Sequence, residues 1–94
     1  GLQNPKLGQN YPNPFNPSTT IALDMPQKGE IELTIYNTKG QLVKKLFQGK
    51  LAQGSHSFTW NGQDENGNAV SSGLYFYSAA QGEMRQSRKM ILMK

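Results

Sequence analysis

The sequence has no cysteine, a single histidine and only six acidic residues among its 94. Without cysteine, neither a disulfide nor a thiolate metal site can stabilise the fold. One histidine, His56, and the absence of a G-x-S-x-G turn leave no pattern for a nucleophilic triad. The few carboxylates show no pair at a spacing typical of glycoside hydrolysis. The sequence therefore predicts that the chain is not an enzyme and uses no cofactor, and that His56 is a partly buried structural residue.

Long hydrophobic runs are also absent. No apolar stretch approaches the roughly 18 residues that a membrane-spanning helix requires, so we expect no membrane insertion. Residues 1–9 lack the charged-then-apolar pattern of a signal peptide, and an exported protein with this sequence would have a longer precursor. We expect residues 1–9 to be a linker from a preceding passenger domain. Residues 10–94 are expected to form one monomeric domain.

The net charge of +4 is unevenly distributed. Two basic clusters could contact phosphates or an anionic surface. No signature of a nucleic-acid-binding module accompanies them, so we predict no nucleic-acid binding. Basic residues are more typical of solvated strand faces and of sheet edges, where lysine discourages edge-to-edge pairing. The clusters consist of Lys39, Lys44, Lys45 and Lys50, and of Arg85, Arg88, Lys89 and Lys94.

Ten glycines and five prolines place turn signals at roughly the 8–12-residue spacing of a β-sandwich. One of these signals is Gln48-Gly49. The alternation is clearest in residues 30–36, where Ile31, Leu33 and Ile35 share one face. Residues 41–47, QLVKKLF, also fit a helical face, but a seven-residue window is too short for a stable helix. The predicted strands are 20–25, 30–36, 41–47, 55–60, 74–80 and 84–93.

These strands predict an all-β fold, an immunoglobulin-like antiparallel β-sandwich of about seven short strands. In the last strand, either Met90 and Leu92 or Ile91 and Met93 are expected to point inward. The expected core consists of Ile21, Leu23, Ile31, Leu33, Ile35, Phe58, Trp60 and either Tyr75 or Phe76.

Asp64, Asn66 and Asn68 match the D-x-N-x-N opening of a calcium-binding loop. The match then fails, because Ala69 stands where the loop needs glycine and Tyr75 where it needs glutamate. The alternative is a long β-turn in which Asp and Asn side chains bond their own backbone. The three residues are therefore only a weak candidate metal site.

Aromatic side chains suggest a second class of function. Trp60 and the run from Tyr75 to Tyr77 could form a stacking platform for sugars. Aromatic residues of a small sandwich more often fill the core. An exposed row of aromatic rings would favour a carbohydrate-binding module.

Near the start, three of the five prolines fall within six positions, in NYPNPFNPSTTI. Proline fixes its own φ and biases the preceding residue toward extended conformations, so no helix can include this segment. We expect a stiff lead-in whose two aromatic residues, Tyr11 and Phe15, plug one end of the core.

Three motifs in order carry a resemblance that covers residues 8 to 94. They are YPNPFNPST, the block W-N-G-x-D-x-x-G-x-x-V-x-S-G-x-Y-F-Y over residues 60–77, and the closing basic strand SRKMILMK. Together they resemble the type A C-terminal sorting domain of proteins exported by the type IX (Por) secretion system of Bacteroidetes. They are also similar to the immunoglobulin-like domain of the flagellar hook-capping protein.

The resemblance implies a secretion signal that is read while folded and that ends a larger exported protein. Cargo of that family crosses the inner membrane by an N-terminal signal, and the domain then directs it through the outer membrane. The implied partners are the type IX secretion machinery and a sortase-like peptidase that removes the domain. The implied location is the periplasm in transit, followed by the cell surface or the medium.

Residue by residue, the resemblance implies structural roles for Pro12, Asn13, Pro14, Gly73 and Tyr75. Recognition is implied for the closing basic residues Arg88, Lys89 and Lys94. The family often ends with closely spaced lysines, whereas MILM separates Lys89 from Lys94 here. Two alternatives stay open, a structural immunoglobulin-like spacer and a carbohydrate-binding module of a secreted enzyme.

Overall fold

The chain folds into two antiparallel β-sheets, seen in a computed structural model that describes residues 3–94. The first sheet has the strand order β1-β2-β5 and the second has the order β4-β3-β6-β7. The predicted all-β sandwich is confirmed. The described residues form no helix, and so they contain no helix that could span a membrane. The strands are β1 (Lys6–Leu7), β2 (Thr19–Met25), β3 (Gly29–Tyr36), β4 (Leu42–Leu51), β5 (Gly54–Trp60), β6 (Gly73–Gln81) and β7 (Met84–Leu92).

Alternating side chains of the two sheets fill the core between them. Because successive residues of a strand point to opposite faces, each strand contributes its apolar set to one side. Phe58 is only half-buried and packs against Phe47, with ring centroids 5.3 Å apart. The fully packed residues include Ile21, Leu23, Ile31, Leu33, Ile35, Trp60, Tyr75 and Tyr77.

Trp60 closes one end of this core. Its side chain is only 1% exposed. The indole ring packs 5.7 Å from Phe15 and edge-on to Tyr75 at 5.3 Å, measured between ring centroids. The indole nitrogen donates a hydrogen bond to the Gln63 carbonyl oxygen at 2.8 Å. Since Trp60, Tyr75 and Tyr77 are buried, they cannot form the exposed row of rings that a sugar platform needs.

β4 extends beyond the prediction. The turn predicted at Gln48-Gly49 is wrong, because β4 continues to Leu51 and pairs with β3 along its length. Gly49 pairs in regular register with Ile31, and the two register shifts of this pairing lie nearer the start of β4, between Leu33 and Thr34 and between Ile35 and Tyr36 of β3. The ambiguous stretch 41–47 belongs to this strand from Leu42 onward.

The segment before β2 is part of the packed domain. Lys6–Leu7 pair with β2, and Leu7 is 3% exposed, so the packed unit begins before residue 10. Further along, Tyr11 bridges to Thr20 of the first sheet, and Phe15 bridges to Leu92 of the second. Phe15 is buried as expected, but the expectation for Tyr11 is wrong because 80% of it is exposed. Residues 5–15, called here the N-terminal segment, thus connect the two sheets.

Candidate functional site

The last strand, β7, forms an edge of the second sheet and carries the basic residues that the sequence singles out. It pairs with β6 from Gly73↔Leu92 to Gln81↔Met84. Met90 and Leu92 are fully buried, whereas Ile91 and Met93 are 43% and 57% exposed. Of the two predicted alternatives, the structure therefore has the one in which Met90 and Leu92 point inward. Its odd-numbered residues face outward from the sandwich.

Side chains attach the other edge of β7 to the N-terminal segment. The Gln86 side chain accepts a hydrogen bond from the Leu7 amide at 2.9 Å and donates one to the Pro5 carbonyl oxygen. Arg88 Nε donates to the Leu7 carbonyl oxygen at 2.8 Å. Gln9 Nε2 donates to the Lys89 carbonyl oxygen at 3.0 Å. These contacts satisfy main-chain groups that an open edge strand would leave unpaired.

Main-chain bonds complete the attachment at the end of β7. The Phe15 amide donates to the Ile91 carbonyl oxygen at 3.0 Å, and the Met93 amide donates to the Phe15 carbonyl oxygen at 2.9 Å. The Asn13 side chain accepts a hydrogen bond from the Ile91 amide at 2.9 Å. β7 is thus held along both edges.

The three predicted recognition residues do not form one set. Arg88 lies on the inward-facing side of β7, and its Nε is bonded to β1. Lys89 lies on the outer face, where its register partner is Phe76. Lys94 is exposed, and its amide donates to the Ser72 hydroxyl at 3.0 Å. Among residues 3–94, neither lysine belongs to an ion pair.

Apolar side chains lie beside Lys89 on the outer face of the second sheet. One row of register partners crosses all four strands, from Leu42 through Tyr36 and Phe76 to Lys89. Leu74 and Ile91 form the next pair along β6 and β7. A shallow cavity of about 450 Å³ includes Leu74, Phe76 and Lys89 in its lining. We name as the outer patch the residues Tyr36, Leu42, Leu74, Phe76, Ile91 and Met93.

A polar network bounds the outer patch on the side away from Ile91. The buried hydroxyls of Thr34 and Ser78 lie 3.2 Å apart, and Arg85 Nη1 donates to the Ser78 hydroxyl at 3.0 Å. Two side-chain hydrogen bonds lower the pKa of Tyr36 below its usual value, the one with Thr34 more than the one with Arg85. Arg85 is therefore engaged within the sheet, and Lys89 is the basic residue that pairs directly with Phe76 of the outer patch.

The candidate calcium residues form a self-bonded turn. Asp64 Oδ1 accepts hydrogen bonds from the amides of Asn66 and Asn68, at 2.9 and 3.0 Å. Gly67, with φ of +81°, donates its amide to the Asp64 carbonyl oxygen at 3.0 Å. Such a turn uses the carboxylate for backbone donors. Within residues 3–94 no cluster of three or more His, Cys, Asp or Glu side chains could hold a metal ion.

The same loop covers part of an edge strand. The Glu65 amide donates to the Val43 carbonyl oxygen at 3.1 Å, and the Glu65 carboxylate accepts from the Lys45 amide. His56 lies elsewhere, half-buried, with its Nε2 donating to the Ala52 carbonyl oxygen at 2.8 Å. Each of these groups has a structural hydrogen-bond partner.

The motif residues near the N-terminus also contact the body of the sandwich. The Pro12 carbonyl oxygen accepts hydrogen bonds from the side chains of Asn10 and Thr19, at 3.2 and 2.8 Å. Pro14 is exposed. Within the last motif block, Gly73 has φ of +149° at the start of β6, and the Tyr75 hydroxyl donates to the Ser71 carbonyl oxygen at 2.7 Å.

Sequence reasoning missed Gln86 and Tyr77, which hold the N-terminal segment. The Tyr77 hydroxyl accepts a hydrogen bond from the buried Asn10 amide at 2.8 Å. Their partners lie 67 to 81 residues away along the chain. No local pattern of the sequence signals contacts of that range.

Comparison with known proteins gives a consistent family. Residues 12–83 match the family described as the FlgD Ig-like domain. The chain is 32% identical over 59 residues to the basal-body rod modification protein FlgD of Salmonella typhimurium. That match covers 62% of this chain and 25% of the relative, so the chain spans about a quarter of the curated protein it matches.

Three solved structures superpose on this chain over most of its length. Dimeric latent PorU of Porphyromonas gingivalis superposes over 98% of this chain with a TM-score of 0.74, at 21% identity, which shows the fold alone. PorZ, an essential surface component of the type IX secretion system of the same organism, covers 92% with a TM-score of 0.63 and 25% identity. FlgD of P. aeruginosa covers 79% with a TM-score of 0.60 and 26% identity. This chain spans 10%, 11% and 58% of those chains, respectively.

Proposed function

This chain belongs to the family of FlgD Ig-like domains, and we propose that within this fold it acts as a C-terminal sorting domain. In this role it directs a larger exported protein through the outer membrane by the type IX secretion system. The observation that supports the proposal is that β7 is fixed in place while the lysines on it and beside it are exposed. The strand is held along both edges, yet Lys89 and Lys94 on it and beside it stay exposed.

The exposed lysines on and beside an ordered strand are suited to recognition by a partner. A side chain on an ordered strand loses less conformational freedom on binding than one on a loose tail. Exposed lysines also contribute little to folding, so replacing them separates recognition from stability. The likeness to PorZ, itself a component of this secretion system, adds support from a second direction.

The proposal includes partners and a route. The chain would follow a passenger domain, contact the secretion machinery in the periplasm, and be removed by a sortase-like peptidase. The passenger would then reach the cell surface or the medium. The chain itself would have no catalytic role.

An export assay tests the proposal. Residues 1–94 are fused behind a periplasmic reporter in a host that has the secretion machinery. We expect the reporter on the cell surface or in the medium, and we expect the Lys89→Ala/Lys94→Ala variant to leave it in the periplasm. The matched control is Lys28→Ala/Lys50→Ala, which removes the same charge from exposed positions elsewhere.

Substitution is preferable to truncation at this strand. Removing residues 89–94 would also remove the fully buried Met90 and Leu92, and loss of export would then reflect unfolding. Each variant must therefore retain the wild-type melting temperature before its export is scored. A wild-type fusion that stays in the periplasm would contradict the sorting role, and normal export of the folded double-lysine variant would show that the two lysines are not the signal.

A structural spacer is the second candidate, and the FlgD family match favours it. A spacer would hold neighbouring domains apart without being recognised itself. It predicts that the reporter stays in the periplasm whether or not the domain is fused to it. The same assay therefore separates the two functions.

A further inference from the structure

The outer patch has no covering element among the described residues. Leu42, Leu74, Ile91 and Met93 are between 37% and 57% exposed. Single exposed apolar residues are ordinary, but these lie together in adjacent rows of one sheet face. Burying these side chains against another molecule would remove apolar surface from water, which is favourable.

The charged residues around the outer patch are basic. Lys89 lies in its end row, next to the polar network, while Lys39 in the β3–β4 turn and Lys94 beyond β7 are exposed and take part in no ion pair among residues 3–94. The carboxylates of β3, Glu30 and Glu32, lie on the same face but toward the opposite end of the strand. Glu32 is already 3.5 Å from Lys45. A ligand carrying negative charge therefore meets no opposing carboxylate at the outer patch.

From this complementarity we infer that the outer patch binds an extended protein segment with carboxylates flanking apolar side chains. Apolar side chains of the segment lie across Phe76, Leu74 and Ile91, and its carboxylates pair with Lys89 and Lys94. The inference deepens the proposed function, and it rests on that function for the setting in which the segment is met. The patch is about four strands wide and four residues long, on the order of 200 Å². Such a small area fits a transient contact.

Two other occupants fit less well. A second copy of the chain placed across a two-fold axis would bring Lys89 toward its own equivalent, and like charges at an interface are unfavourable. A lipid surface requires apolar groups that insert several ångströms into the acyl boundary. Phe76 and Tyr36 are instead half-buried within a flat sheet face.

A matched pair of synthetic peptides tests the inference on the purified chain. Both peptides carry the same two leucines and one phenylalanine, flanked by four glutamates in one and by four lysines in the other. Binding is followed by two-dimensional NMR of the isotope-labelled chain. We expect the glutamate peptide to bind at least about tenfold more tightly and to shift the amide signals of Leu74, Phe76, Lys89 and Ile91. Its binding should weaken as salt is raised.

Variants locate the site. Leu74→Ser/Ile91→Ser should weaken binding of the glutamate peptide about tenfold, and Lys89→Glu should reverse the preference between the peptides. The matched control is Tyr11→Ser, because Tyr11 is 80% exposed but pairs with the first sheet. All four side chains are exposed, so the variants are expected to fold, and melting curves verify this.

Several outcomes would overturn the inference. In the NMR titration, these are equal affinity for the two peptides and changes of amide signals outside the outer patch. In sedimentation, it is self-association of the chain that Ile91→Ser abolishes. With anionic phosphatidylglycerol vesicles, it is Ile91-dependent pelleting in place of peptide binding. Failure of the proposed function looks different. A chain that prefers the glutamate peptide at this face but does not export the reporter would refute the sorting role alone. A chain that exports the reporter without any peptide preference would refute the inference alone.

Discussion

The Tyr77 hydroxyl donates a hydrogen bond of 2.6 Å to the Gly8 carbonyl oxygen, joining a strand of the second sheet to residues that precede the first. The same hydroxyl accepts the Asn10 amide at 2.8 Å, so it is satisfied as both donor and acceptor. Tyr77 is fully buried, and water cannot replace either contact. The bond therefore fixes where the N-terminal segment crosses the end of the core.

Removing that hydroxyl should destabilise the domain. In Tyr77→Phe the buried Asn10 amide loses its acceptor, which costs about 1–3 kcal/mol. Urea denaturation measures the loss, and hydrogen exchange should show faster exchange of the Asn10 amide. Tyr75→Phe is the control, because its acceptor at Ser71 is exposed to water. A smaller loss in Tyr77→Phe than in Tyr75→Phe would contradict this assignment.

Stability should also respond to alkaline pH through Tyr77. Burial raises the pKa of the Tyr77 phenol above its ordinary value of 10.0, although the Asn10 hydrogen bond and Arg88 act in the other direction. The folded state thus holds the proton more tightly than the unfolded state. The contribution of the buried neutral phenol to stability is present in full below the pKa of the unfolded state. It is lost as the pH rises through the higher pKa of the folded state.

The measurement compares wild type with Tyr77→Phe from about pH 8 to about pH 11. We expect the difference in unfolding free energy to shrink above about pH 10, because only the wild type must ionise a buried phenol. Tyr36, whose pKa is lowered, is present in both proteins and cancels. A difference that stays constant or widens with pH would show that Tyr77 does not titrate in this way.

Trp60→Ala should be among the most destabilising substitutions. The indole is buried between Phe15 and Tyr75, and removing a buried large aromatic side chain costs roughly 3–5 kcal/mol. Urea denaturation gives the value. Trp60→Phe should lose less, since a ring remains between the same neighbours while the bond to Gln63 is lost. Equal stability of Trp60→Ala and wild type would show that the indole does not close the core.

Arg88 and Lys89 are adjacent in sequence but should behave oppositely. Arg88→Ala removes the bond to the Leu7 carbonyl oxygen, so we expect faster hydrogen exchange over residues 5–10. Lys89→Ala should leave exchange unchanged and should reduce export of the reporter instead. Similar exchange in both variants would mean that the Arg88 contact does not hold the N-terminal segment.

Calcium should not stabilise the domain. Asp64 already accepts two backbone amides, and a ligand that binds only the folded state would raise the melting temperature. We therefore expect the same melting temperature with and without millimolar calcium. Asp64→Ala should lose about 1 kcal/mol as the turn loses its acceptor. A calcium-dependent rise that Asp64→Ala abolishes would instead show a metal site.

Much of the fold could be predicted because strand periodicity is a local property. In residues 30–36 the apolar residues repeat every second position, and β3 follows that pattern from Gly29 to Tyr36. The same reasoning placed β2, β5, β6 and β7 within one or two residues of their observed bounds. It could not place β1, since two residues are too few to show alternation.

Local signals failed where a long-range partner competes with them. Gly49 lies inside β4 because β3 pairs with that strand on both sides of the glycine. Tyr11 and Phe15 occupy the same proline-rich run, yet one is exposed and the other is buried against Trp60. Their difference arises from where the segment crosses the sandwich, which the run itself does not encode.

At the candidate site, the residue types set the available chemistry, and folding set which of those groups are exposed. The order of residues put basic and apolar side chains together in the last strand, and strand geometry sent neighbours to opposite faces. Only folding brought Leu7 beside Arg88 and Phe76 beside Lys89. Hydrogen bonds and cross-strand contacts depend on distance in space, so Arg88 bonds to Leu7 while its neighbour Lys89 stays exposed.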